Sequence, residues 1–169
     1  PLPDGSIAEV KLDFDTLEKI SNVAIDKYQI SGAVQHGAST LPDELFDKFP
    51  KTKTSEIHLA TGFQNIIYDN DAFPQGLKDE IYAYLKSNCA AERKEKDTEE
   101  QFLYKTRKKG FGPFKKQMWS LPENVRNEIK SALGQKFKYF FEKLGVAGKQ
   151  TSLEKCFSNS TIVTPKKPS

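Results

Sequence analysis

The order of apolar patterns along the chain predicts an α/β fold. Helical spacing over residues 15–28 is followed by a short apolar run at 32–35 and by an alternating apolar and polar run at 56–60. The segment between the two runs is long enough to hold a helix, and a connection of that length is typical of parallel strands. We therefore expect two parallel strands packed with helices.

Local sequence signals justify the elements of the first half in order. The first helix is predicted by apolar side chains at steps of three and four, namely Leu17, Ile20, Ala24 and Tyr28. The first strand runs into a cluster of small polar residues at 36–40. Thr40 and Pro42 then supply the hydroxyl cap and early-turn proline of a second, short helix. The second strand ends at Thr61 and Gly62, and an apolar helical stretch follows.

The second half of the chain is predicted to be helical. One helix is indicated by a stripe at steps of four, made by Leu77, Ile81, Leu85 and Cys89. Capping boxes are predicted at 98–101 and 120–123, and the second opens a long helix that ends at Gly145. The polar, proline-containing end at 152–169 predicts a loose tail. The chain thus divides into three parts. Residues 1–72 hold the strands and the polar loops that follow them, residues 73–150 form a helical extension, and residues 151–169 form a tail.

Composition excludes several classes of protein. The chain has 169 residues, 29% of them charged, with a net charge of +3 that is too small to steer the whole molecule toward nucleic acid. No apolar run reaches the ~18–20 residues of a membrane helix. Cys89 and Cys156 have no CxxC or zinc-finger spacing, so we expect reduced thiols. We expect a cytoplasmic protein without a membrane partner.

The two strand ends hold the candidate functional residues. Ligands of α/β proteins bind at the carboxyl ends of parallel strands, and the two histidines, His36 and His58, stand at or near these ends. The loop at 37–40 offers small side chains, open backbone N–H groups and hydroxyls before a helix, which favours an anion. A lone histidine is more often a hydrogen-bonded core residue, and many strand-to-helix turns have this composition, so both alternatives stay open here.

A family resemblance narrows the choice. Residues 33–42, AVQHGASTLP, and residues 56–62, EIHLATG, resemble the end of a class II, metal-dependent fructose-bisphosphate aldolase. The resemblance implies the C-terminal part of a (β/α)₈ TIM barrel that holds the last two strands, with a helical C-terminal extension. It also implies a lyase of glycolysis and carbohydrate metabolism that cleaves a phosphorylated ketose reversibly.

The resemblance also implies roles for individual residues. His36 matches the metal ligand, for which zinc is the usual ion, and His58 stands where the family has an asparagine that contacts the reacting part of the substrate. Gly62 replaces a family aspartate. The positions matched to phosphate binding are Gly37, Ser39, Ala60 and Thr61. The other metal ligands and the acid/base aspartate are expected upstream of Pro1, so the chain alone is expected to be inactive and the intact protein to be a homo-oligomer.

A basic run offers the alternative functions. Residues 105–116 carry six Lys and Arg residues and no acid, with Phe111 and Phe114 between them. The run is interpreted as a solvated basic loop, or as a loop that closes over a phosphorylated sugar. A basic RNA-binding or assembly module is a further alternative. Another is a catalytically silent sugar-phosphate-binding barrel.

Overall fold

The computed structural model describes residues 12–157, and these are mostly helical. Helices make up 67% of the structure and strands 4%. Two three-residue strands, β1 (Val34–His36) and β2 (Glu56–His58), pair in parallel, which confirms the predicted pairing. The prediction of part of a (β/α)₈ barrel is wrong for the described residues. Their sheet has two strands. Ile57 on one face packs against helical residues instead of further strands, and Val34 on the other face is 45% exposed.

Helices occupy most of the remaining described residues. The α-helices are α1 (Phe14–Tyr28), α2 (Lys48–Lys51), α3 (Thr61–Tyr68), α4 (Gln75–Asn88), α5 (Glu99–Thr106), α6 (Lys115–Trp119), α7 (Glu123–Lys143) and α8 (Gln150–Phe157). Short 3₁₀ helices lie at Ala38–Thr40, Asp43–Asp47, Ala90–Glu92 and Arg107–Gly110. The predicted second helix is therefore a 3₁₀ turn that continues into one turn of α2.

Two of the predicted helix starts have different outcomes. At α5, the Thr98 hydroxyl accepts the Gln101 N–H while the Gln101 side chain accepts the Thr98 N–H, so this capping box is confirmed. At α7 the capping-box prediction is wrong, because Pro122 occupies the N-cap position and no side chain caps the helix. The prediction of a loose tail is wrong for residues 151–157, because they belong to α8. The rest of that tail, 158–169, lies outside the described residues, as does the start of the chain up to residue 11.

A glycine allows the strands to begin side by side. Gly32 has φ +138°, and a Cβ atom there would lie 2.3 Å from the Lys53 carbonyl oxygen. The Ser55 N–H donates to the Ala33 carbonyl at 2.9 Å immediately afterwards. Any larger residue at position 32 would push the chain before β2 away from β1, so this close approach sets the register of the pair.

The apolar side chains form two clusters joined by α7. The cluster beneath the strands consists of Leu17, Ala38, Leu41, Phe46, Phe49 and Phe140. The helical cluster consists of Tyr68, Phe73, Ile81, Leu85, Cys89, Phe102, Leu103 and Ile129. Because α7 contributes Ile129 to one cluster and Phe140 to the other, it ties the strand-containing part to the helical part. Ile81, Leu85 and Cys89 are buried as their spacing predicts.

Candidate functional site

An open cavity of about 690 Å³ lies at the ends of the two strands. It is lined by His36, Gly37, Ser39, Glu56, Ile57, His58, Leu59, Ala60 and Thr61. All six residues that the sequence nominates as site residues are in this lining. The parallel pairing is the reason, because it brings the carboxyl ends of β1 and β2, and the loops that follow them, to the same edge.

The strand register places the two histidines next to each other. His36 is the direct partner of His58 across the pair, and the two imidazole ring centroids are 4.3 Å apart with the ring planes inclined by 32°. Aligned residues of paired strands project to the same face of a sheet. The interpretation of both as satisfied core histidines does not hold, since both side chains are exposed at the cavity.

Glu56 also lines the site, although it is not among the residues that the sequence nominates. The Glu56 Oε1 atom is in hydrogen-bond contact with Nε2 of His58. The two residues are two positions apart on β2 and therefore project to one face, so strand alternation was the signal that could have identified Glu56. The His58 and Glu56 side chains are 48% and 60% exposed, which leaves both accessible from the cavity.

A backbone turn and one hydroxyl connect the two loops of the site. Gly37 has φ +75°, in the left-handed region that favours glycine, and opens the 3₁₀ turn at Ala38–Thr40. The Ala60 N–H donates to Ser39 Oγ at 3.3 Å. The Ala60 amide is thus engaged within the protein, while the Ser39 hydroxyl keeps its own proton to donate to a ligand. The Thr40 side chain, to which the sequence assigned a cap, lies outside the description.

The N-terminus of α3 closes the other side of the cavity. Thr61 is the first residue of this helix, and the N-cap residue Ala60 makes no side-chain capping bond. The first backbone N–H groups of a helix have no partner within it, and together with the helix dipole they favour an anion. Gly62 leaves ordinary space, since a Cβ atom there would come no closer than 3.8 Å to Ser39.

The metal-binding capacity of the described residues is partial. They contain no group of three or more His, Cys, Asp or Glu side chains that could hold a metal ion. The His36 imidazole has a ring contact with His58 and no hydrogen bond to another described residue. His36 therefore fits the role of one ligand, but residues 12–157 do not form a complete tetrahedral zinc site.

The basic run is helical, so the prediction of a loop is wrong, although five of its six basic residues are exposed and three of the six form internal ion pairs. It forms the end of α5, the next 3₁₀ turn and α6. Lys105 pairs with Asp97 and Lys109 with Glu92, and Arg107 is only 6% exposed. These contacts neutralise three of the six positive charges that a phosphate or RNA backbone would meet.

Arg107 is the buried centre of a polar cluster that we call the Arg107 cluster, formed by Asn65, Tyr68, Asp69, Tyr104 and Arg107. The guanidinium donates to both carboxylate oxygens of Asp69, at 2.8 and 3.0 Å, and to the Asn65 side-chain oxygen. It lies over the rings of Tyr104 and Tyr68, 4.9 and 5.5 Å from their centroids. The Tyr68 hydroxyl donates to the Arg107 carbonyl at 2.8 Å. Each polar group thus has a partner within the cluster.

Burial changes the acidity of two groups in this cluster. Removal from water raises the pKa of the Tyr68 hydroxyl to about 12, because the phenolate is disfavoured there. Burial opposes the charge of Arg107, but the hydrogen bonds and charge of Asp69 outweigh it and raise the pKa of the guanidinium. Arg107 therefore stays charged and acts as a structural cation.

Comparison with known proteins gives no further assignment. The chain matches no protein-family model, no curated protein and no solved structure. Among residues 12–157, no helix is both long enough and apolar enough to cross a membrane.

Proposed function

We propose that the cavity is one side of the active site of a cytoplasmic, zinc-dependent class II aldolase that cleaves a phosphorylated ketose such as fructose 1,6-bisphosphate reversibly. The observation that carries this proposal is the convergence of all six residues matched to that family on one cavity. A barrel architecture is no part of the proposal, because the described sheet has two strands.

The phosphate group of the substrate would bind between the two loops. The Ser39 hydroxyl and the backbone N–H groups at the start of α3, near Thr61, are the available donors. Gly37 leaves open space around its Cα, since a Cβ atom there would meet nothing within 4 Å. A phosphate could approach the backbone of this loop closely, as an anion site requires.

His36 would be one ligand of the metal ion, and the remaining ligands would come from outside residues 12–157. When bound, the zinc ion would polarise the substrate carbonyl and stabilise the enediolate that forms on carbon–carbon cleavage. Within the described residues, His36 contributes an exposed imidazole at the cavity edge, and its stacking against His58 restrains the orientation of the ring.

His58 would contact the reacting part of the substrate. Its ring lies beside His36, so a group that binds the metal through a carbonyl or hydroxyl oxygen would be close to the His58 imidazole. An imidazole can donate or accept one hydrogen bond to such an oxygen, as the family asparagine does.

The decisive experiment measures cleavage of fructose 1,6-bisphosphate by the intact protein with and without a chelator. We expect activity that requires the metal, and loss of both zinc and activity in His36→Ala, because a site with three protein ligands has none to spare. Unchanged zinc content and turnover in His36→Ala would contradict the assignment.

A second measurement tests the phosphate site. Ser39→Ala should raise KM by a modest factor, about three- to tenfold for one lost hydrogen bond. Ser87→Ala is the matched control, because the Ser87 hydroxyl bonds only the helix carbonyls of Ala83 and Tyr84 and the neighbouring Asn88 side chain. Phosphate-dependent binding without turnover would instead favour the catalytically silent sugar-phosphate-binding protein.

A further inference from the structure

The proposed function assigns no role to the carboxylate of Glu56, which lines the cavity. We propose that Glu56 is a positioning residue that holds His58 as the Nε2–H tautomer, so that Nδ1 accepts a hydrogen bond from a ligand hydroxyl. The inference rests on the proposed function for the nature of the ligand, and it names the feature that would distinguish a phosphorylated polyol from phosphate alone.

The first step is the contact itself. Oε1 of Glu56 meets Nε2 of His58, and an ionised carboxylate can only accept a hydrogen bond. Nε2 must therefore carry the proton when the imidazole is neutral. Glu56 forms no ion pair with a described lysine or arginine, so His58 is its charged or polar partner among the described side chains.

The second step is the restraint on the ring. His58 stacks on His36 with centroids 4.3 Å apart, and the two residues are register partners on paired strands. The stacking limits the plane of the His58 ring, while the carboxylate decides which nitrogen is protonated. A second group that orients an imidazole in this way is the usual means of fixing its tautomer.

The third step is the chemistry that remains. With Nε2 engaged, Nδ1 is the free nitrogen of a side chain that lines the cavity, and no described group hydrogen-bonds to it. The phosphate loop, by contrast, offers donors in the Ser39 hydroxyl and the first amides of α3. The cavity thus combines donors for an anion with an acceptor for a hydroxyl, a combination that a sugar phosphate satisfies with its phosphate group and a separate hydroxyl of the sugar.

Imidazole ¹⁵N nuclear magnetic resonance of the full 169-residue chain tests the tautomer without any ligand. The chain has two histidines, so a His36→Gln variant assigns both sets of signals. At a pH where both rings are neutral, we expect wild-type His58 to be protonated at Nε2 alone and Glu56→Ala to shift it toward a mixture. Glu56→Gln should keep the wild-type tautomer, because the amide oxygen still accepts.

The control and the contrary outcome are equally direct. Glu44→Ala removes an exposed carboxylate outside the cavity lining and should leave the His58 signals unchanged. A wild-type His58 protonated at Nδ1, or the same His58 tautomer in wild type and Glu56→Ala, would overturn the inference.

A binding measurement on the same variants separates this inference from the proposed function. Glu56→Ala should weaken binding of fructose 1,6-bisphosphate about twofold, the factor by which an even mixture of tautomers dilutes the accepting Nδ1, and leave binding of inorganic phosphate unchanged. Equal loss for both ligands, or no loss for either, would overturn the inference. Absence of phosphate binding in wild type would instead contradict the proposed function, while the tautomer result would stand on its own.

Discussion

Two polar clusters of this protein use similar residue types with opposite results. At the strand ends, His36, Glu56 and His58 surround an open cavity and are exposed. In the Arg107 cluster, Arg107 and Tyr68 are almost completely buried. Each cluster combines nitrogen-containing side chains that can carry a positive charge with a carboxylate, so residue composition alone does not show which cluster is functional.

The two clusters differ in how many of their polar groups have a hydrogen-bond partner within the protein. Arg107 makes a bidentate pair with Asp69, and the hydroxyl of Tyr68 returns to the Arg107 backbone. Buried polar groups are costly without partners, so this network around the buried Arg107 guanidinium stabilises the fold. The strand-end cluster leaves Nδ1 of His58, the His36 ring and the first amides of α3 for a ligand. Unsatisfied, accessible polar groups are therefore the better guide to function here.

The largest effect on stability is expected from removing the carboxylate that pairs with the buried Arg107, although the Asp69 side chain is itself 53% exposed. Asp69→Ala leaves the buried guanidinium of Arg107 without its carboxylate, which should lower the free energy of unfolding by about 3 kcal/mol. Asp71→Ala is the matched control, because Asp71 is exposed and pairs with no described cation. Urea unfolding measures both variants, and equal losses would show that Arg107 is not held by Asp69.

The next effect is a loss of stability at alkaline pH that depends on Tyr68. The pKa of Tyr68 rises from about 10 in the unfolded chain to about 12 in the fold, so the contribution is complete below pH 10 and is lost between pH 10 and 12. The shift corresponds to about 2 to 3 kcal/mol. Tyr68→Phe removes the titrating hydroxyl and should flatten this part of the stability curve. A Tyr68→Phe variant with the wild-type pH dependence would contradict the assignment.

Two glycines provide an intermediate test of the comparison. A Cβ atom at Gly110 would lie 2.6 Å from Ile81 and 2.7 Å from the Tyr68 hydroxyl, so Gly110→Ala should cost about 2 kcal/mol through crowding. At Gly37 nothing crowds the Cβ, and Gly37→Ala should cost only about 1 kcal/mol for the left-handed backbone. Denaturant unfolding compares the two variants. The reverse order would mean that the strand-end loop is packed more tightly than the helical cluster.

The smallest stability effects are expected at the strand ends. His36→Ala and His58→Ala remove exposed side chains and should change the free energy of unfolding by less than about 0.5 kcal/mol. The same variants should weaken binding of a ketose phosphate, which isothermal titration calorimetry measures. A large loss of stability in either variant would place these histidines with the structural residues of the Arg107 cluster.

Local patterns in the sequence determined much of the secondary structure and the position of the cavity. The spacing of apolar residues predicts α1, α4 and α7, and the capping box at Thr98 forms as expected. These features depend on neighbours within four residues, which the sequence displays directly. Both strands were expected near their observed positions, and because parallel strands end at the same edge, the six nominated residues meet there.

Only the tertiary structure decided which polar residues are structural and which remain available. Arg107 belongs to a basic run in the sequence, but its partner Asp69 lies 38 residues earlier, and no local pattern shows that pairing. The sheet has two strands, with helical residues packed against Ile57 on one face and Val34 exposed on the other, which the strand spacing does not reveal. Glu56 joined the site through strand alternation combined with the contact to His58. Contacts between distant segments select among the structures that local patterns allow. Here they pair the polar groups of the Arg107 cluster with one another and leave those of the strand-end cavity accessible.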